Sequence, residues 1–104
     1  MNADEMRESG VRVARGARYM DENHPGWERR VDLSILNIAL PSSCICGQVL
    51  NVNGATKGWT RVDDELVAIE ENSYDYGFCA QEDGDAWVML IKERFDSGIL
   101  SDLV

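Results

Sequence analysis

The chain has 104 residues, 44% of them apolar, and a formal charge of −9 from 19 acids and 10 cations. Such a length and apolar share suit one domain with its own core, and the negative charge disfavours nonspecific binding to DNA, RNA or anionic lipid while attracting a basic partner surface. The charge is also uneven: residues 1–31 sum to zero, residues 32–62 to +1, and residues 63–104, with twelve acids against Lys92 and Arg94, to −10.

Residues 3–22 read as an amphipathic helix. Met6, Ala14, Ala17 and Met20 fall within about 100° of Val13, and Arg12, Arg15 and Arg18 gather on the opposite side. Glu8 with Arg12 and Arg18 with Glu22 are spaced for exposed pairs of about 0.2–0.5 kcal/mol each. Asn23, His24, Pro25 and Gly26 end the helix, because proline disfavours helical geometry in the residue before it. Trp27 then anchors the returning chain on the core. Val31, Leu33, Ile35, Leu36, Ile38 and Leu40 mix two periodicities, so a short helix and an extended segment both remain open, and either places them in the core.

Pro41, Ser42 and Ser43 form a helix start, and a short helix over 43–50 buries Cys44 or Ile45 with Val49. Asn53, Gly54, Lys57 and Gly58 mark a long loop. A hairpin pairing 49–52 with 59–62 is a less favoured alternative. Thr60 and Asp63 match a capping box, which puts Asp63, Asp64 and Glu65 in the first turn of a helix reaching Asn72 with Val62, Leu66 and Ile69 inward. Tyr74, Tyr76, Phe78 and Ala80 alternate as in a half-buried extended segment. Asp83 or Asp85 caps a last helix that lines up Trp87, Leu90, Ile91 and Phe95, with Lys92 and Arg94 near its end and Ser97–Gly98 as its stop. The expectation is a mainly α, compact single domain of about four helices over residues 1–98, with an optional short two-stranded β element and a tail over 99–104.

No stretch approaches the roughly 20 apolar residues of a membrane span. Residues 1–8, with Asp4, Glu5 and Glu8, lack the basic start and apolar run of a secretory signal. A cytoplasmic protein is therefore expected, in which the odd set Cys44, Cys46 and Cys79 is reduced rather than bridged.

Tyr19, Asp21, Pro25, Gly26 and Trp27, then Asp32, Leu33, Gly47, Gln48 and Val49, and later Tyr76, Gly77, Phe78 and Trp87 form a pattern over about residues 13–94. It resembles a group of small proteins encoded by actinobacteria and their bacteriophages. The shared motifs are structural in character, so the resemblance implies a phage or mobile-element product, acting in the host cytoplasm if phage-encoded, and transfers no active site.

Candidate chemistry is sparse. Cys44, Cys46, Cys79 and His24 supply the donor types of a zinc site, but two cysteines two apart on a helix diverge by about 200° and the usual ligand spacing is missing; buried apolar thiols are the plainer reading. His24 has no identifiable partner for acid–base catalysis. Asp83 and Asp85 lack the rest of a calcium loop, and no phosphate-binding loop is present. No catalytic residue and no cofactor are expected.

The expected role is a non-enzymatic interaction protein that binds and modulates a host protein with a basic surface, without direct nucleic-acid or membrane contact. The partner-binding candidates are Arg12, Arg15, Arg18 and Tyr19 on the cationic face and Glu70, Glu71, Asp75 and Glu82 on the acidic one. Two alternatives stand beside it. Asp63, Asp64, Glu65, Glu70, Glu71, Asp75, Glu82, Asp83 and Asp85 form the set a nucleic-acid mimic would use to block a basic groove, and the cysteines with His24 form a small zinc site. The two charge signs also allow a homodimer.

Overall fold

The computed structural model of the chain describes residues 3–40, 42–50 and 58–96. Within them are four helices, α1 (Ala3–Asn23), α2 (Ile45–Leu50), α3 (Gly58–Ala68) and α4 (Gly84–Asp96), with 3₁₀ turns at Trp27–Arg30 and Gln81–Asp83 and no strand. The mainly helical class expected from the sequence is the one that forms. Pro41, the loop around Asn53 and Lys57, the stop at Ser97–Gly98 and the tail over 99–104 lie outside the described residues.

α1 starts with Asp4 and Glu5 in its first turn, where carboxylates complement the helix dipole. It ends where Asn23 Nδ2 donates to the Tyr19 carbonyl at 2.9 Å and the His24 amide to the Met20 carbonyl at 2.7 Å. Gly26 then turns the chain in the left-handed region (φ 83°) and delivers Trp27 into the core. There Trp27 meets Trp87 edge to face at 5.6 Å, and Phe78 stacks on Trp87 at 5.6 Å. All three rings are buried, so the anchoring role expected of Trp27 holds, and truncating it costs about 3–5 kcal/mol.

α1 packs on this cluster through Val13, Gly16, Ala17, Tyr19 and Met20. Gly16 is required there: a Cβ would overlap the Tyr76 carbonyl oxygen and crowd the Trp87 ring. Opposite it, Gly77 (φ 75°) lies against the Val13 backbone and offers its carbonyl to Trp87 Nε1 at 2.7 Å. The expected stripe thus shifts, because Met6 and Ala14 are exposed while Ser9 and Gly16 face inward.

Residues 31–40 form successive turns, with Ile38 buried, Val31, Leu33 and Leu36 partly so, and Ile35 and Leu40 exposed; the segment is less of a core element than its composition implies. Gln48 of α2 clamps it, accepting from the Asp32 amide at 2.6 Å and donating to the Asp32 and Ser43 carbonyls. α2 buries Ile45, Cys46 and Val49, and α3 runs through Trp59–Val62, so the described parts of the alternative hairpin are helical.

Three expectations fail on local geometry. α3 includes Gly58 and Trp59, which places Thr60 and Asp63 inside the helix rather than in a capping box, and no acid lies in its first turn. It stops at Ala68 because the Glu71 amide reaches back to the Leu66 carbonyl with Glu70 in the left-handed region (φ 64°), leaving Ile69 exposed. Residues 73–79 alternate in sequence yet are not extended. The Tyr76 and Phe78 amides both bond the Ser73 carbonyl, winding the segment into turns that bury Phe78 and leave Tyr74 exposed.

α4 buries Trp87 and Ile91, with Leu90 partly covered and Phe95 exposed. Asp83 is not a solvent-side cap: its side chain is fully buried and bonded to α1.

Candidate functional site

The cationic face expected on α1 is divided: Arg12 is committed inside the fold, while Arg15 and Arg18 stay exposed. Arg12 grips the Asp83 carboxylate with Nε at 2.9 Å and Nη2 at 2.7 Å, while Ser9 Oγ donates to the same group at 2.6 Å and Arg12 lies over the Tyr74 ring at 4.9 Å. The bond to Asp83 raises the Arg12 pKa further, so its charge is permanent. Glu82 adds a longer contact to Arg12 at 3.9 Å. Arg15 donates to the Asp75 carbonyl at 3.1 Å and lies over Tyr76, and Arg18 pairs with Glu22 at 3.3 Å in solvent.

Tyr19 is buried, with its hydroxyl donating to Glu65 and its ring edge-on to Tyr76 and Phe78. Burial, reinforced by the Glu65 carboxylate, raises the phenol pKa. Burial opposes ionisation of Glu65 too, yet its bonds to Tyr19 and His24 hold its pKa below the ordinary carboxylate value. His24 Nε2 lies 3.5 Å from Glu65. Of the acidic candidates, Glu70 and Glu71 are exposed beyond α3, Asp75 is half-buried and bonded to Asn72, and Glu82 is exposed beside Arg12. The set proposed for nucleic-acid mimicry therefore includes Asp83, which cannot reach a partner, and Glu65, which is engaged within the fold.

The zinc donors do not converge on one point, although Cys44 and Cys79 line the same depression. Cys44 Sγ accepts from the Gly47 amide at 3.2 Å, Cys79 contacts Ser73 Oγ at 2.8 Å, and His24 sits with Tyr19 and Glu65. Burial raises both the Cys44 and Cys46 thiol pKa values, which disfavours thiolate. Among the described residues no group of three or more His, Cys, Asp and Glu side chains is arranged to hold a metal ion.

What the fold does assemble is a groove of about 490 Å³ between α1 and α4. Met6, Gly10 and Val13, at helical spacings of four and three, form one wall; Ala86, Met89 and Leu90 form the other; Glu82, Asp85 and Glu93 stand around it. Asp85, Met89 and Glu93 are four apart and so follow one ridge of α4, an exposed thioether between two exposed carboxylates. Met6 is 57% and Met89 60% exposed. Among the described residues neither Asp85 nor Glu93 forms an ion pair, so their charge faces outward.

Gly10 is the most telling residue in this wall. A glycine inside a helix costs about 1 kcal/mol relative to alanine, and a Cβ at Gly10 would meet no atom within 4 Å. Unlike Gly16, nothing among the described residues requires it. It leaves bare backbone in the groove wall.

Sequence reasoning did not single out Gly10, Met89 or Glu93, and it read Asp85 as a cap or a mimicry acid rather than as part of a groove. The available signal was α4's surplus of apolar residues: Met89 lies about 200° from Trp87 and cannot share its buried face. Arg94 was read only as a dipole partner, whereas it bonds Asp21 at 2.8 and 3.0 Å and also reaches Glu28. Trp27, Gln48, Gly77 and Trp87 hold turns and core together. No helix among the described residues is long and apolar enough to cross a membrane. Comparison with protein-family models, with curated proteins and with solved structures finds no match to this chain.

Proposed function

We propose that this chain is a non-enzymatic interaction protein that binds a protein partner with a basic surface through the α1/α4 groove and thereby modulates it. The observation that carries this reading is the groove itself: an apolar floor edged with methionines, acids around it, and a helix-interior glycine that leaves bare backbone in its wall at a cost to its own helix. Methionine suits such a surface because its unbranched thioether adapts to a partner's shape. The resemblance to proteins of actinobacteria and their phages supports a host protein as the partner, met in the host cytoplasm.

The test is affinity capture from an actinobacterial extract, with the parent protein and a Met89→Glu variant immobilised side by side. Met89 is exposed, so the substitution should change stability by no more than about 0.5 kcal/mol. A protein retained saturably by the parent and lost by the variant is the expected result. Retention that is equal on both, or no saturable protein at all, would overturn the proposal.

A further inference from the structure

We infer that the segment seated in the α1/α4 groove is a cation-flanked amphipathic helix of the partner, an inference that rests on the docking role proposed above. Three features of the groove select that occupant. Its walls are side chains of two helices, and among the described residues it presents no strand edge. An extended peptide placed there would leave its backbone donors and acceptors without partners, whereas a helix satisfies its own. The wall from Met6 to Val13 is about 10 Å long at 1.5 Å per residue, which matches two turns of a third helix laid between α1 and α4.

Charge supplies the second constraint. Asp85 and Glu93 flank Met89 on one ridge, and Glu82 adds a third carboxylate whose only described cation, Arg12, is already committed to Asp83. A helix carrying Lys or Arg beside its apolar stripe meets these carboxylates, while an acidic helix, a nucleic acid or an anionic membrane is repelled. Gly10 is the third: with no side chain, it gives a partner's bulky residue access to the floor beside Val13.

The experiment titrates the full chain with a synthetic amphipathic peptide of about 14 residues patterned from Leu and Lys, and with its counterpart in which every Lys is Glu, following anisotropy of a dye on the peptide at low and high salt. The Lys peptide should bind at least about tenfold more tightly than the Glu peptide, with an advantage that shrinks as salt screens the charges. Gly10→Leu should weaken the Lys peptide about tenfold without lowering the midpoint of thermal unfolding, since the added side chain fills the groove while improving helix propensity. Asp85→Asn with Glu93→Gln should flatten the salt dependence. Equal binding of the two peptides, or unchanged affinity in Gly10→Leu, overturns the inference. Sedimentation that shows a dimer abolished by Met89→Glu also overturns it, since a second copy would then occupy the groove. If Met89-dependent capture of a protein persists while the Lys peptide fails to bind, the helical cationic occupant is wrong and the docking role stands; if both fail, both fall.

Discussion

Two arginine-centred networks hold α1 to the α4 side of the molecule, and they differ chiefly in how much water reaches them. At one end Arg12, with a side chain 13% exposed, closes on an Asp83 that is fully buried and shared with Ser9. At the other, Arg94 joins Asp21, which is 42% exposed, to the buried Glu28 and lies over the Trp27 ring at 5.7 Å. The chemistry is alike: a guanidinium between carboxylates. Removing Arg12 from the first strands the Asp83 carboxylate with no water to receive it, whereas solvent can take over part of the second.

That contrast can be broken most severely at Arg12. Arg12→Ala or Asp83→Ala should each cost about 3–5 kcal/mol, read as a fall of more than about 10 °C in the thermal midpoint for a domain of this size. The double change Arg12→Met with Asp83→Leu should recover most of the loss, because no unpaired charge then remains inside. Single variants costing under about 1 kcal/mol would sink the view of this network as closed.

Arg94→Met should cost less, about 1–2 kcal/mol at neutral pH. Its deficit should also depend on pH. Burial works against the Asp21 carboxylate, yet bonds from Arg94 and Trp27 hold its pKa below the ordinary value. Its contribution is therefore complete above the unfolded value of about 4 and is lost as pH falls through the lower folded value. Urea midpoints of parent and variant should converge as pH falls below the ordinary carboxylate range, and a gap that stays constant with pH would assign the Arg94 effect to packing on Trp27 instead.

The smallest effect belongs to Arg18 and Glu22, paired wholly in solvent. Arg18→Ala should shift stability by no more than about 0.5 kcal/mol and vanish in high salt. A loss approaching that of Arg94→Met would show that burial is not what separates these arginines.

The same distinction explains which parts of the fold were legible in the sequence. α1, the break at Pro25, the anchoring by Trp27 and the buried face of α4 follow from patterns within about twenty residues. Arg12 does not: it reads as one arginine on a polar face, and only the approach of Asp83, 71 positions away, turns it inward. The turns over 73–79 misled for a related reason. Tyr74, Tyr76 and Phe78 alternate like a strand, but the close meeting of Gly77 with α1 at Val13 and the shared Ser73 carbonyl impose a tighter path. The groove was half visible, since Met6 belonged to the apolar stripe of α1; that it would lie open beside Met89 depended on how α1 and α4 end up side by side.

The edge-to-face meeting of Trp27 and Trp87 gives this protein a built-in optical gauge. Two indoles held 5.6 Å apart between α4 and the turn after α1 should couple electronically, so near-ultraviolet circular dichroism and intrinsic emission report directly on whether these elements are in register. Gly10 and Met89 lie on the outer side of their helices, away from that pair. Spectra that stay unchanged across the groove variants would certify, without any label, that a change in binding comes from the surface and not from the core.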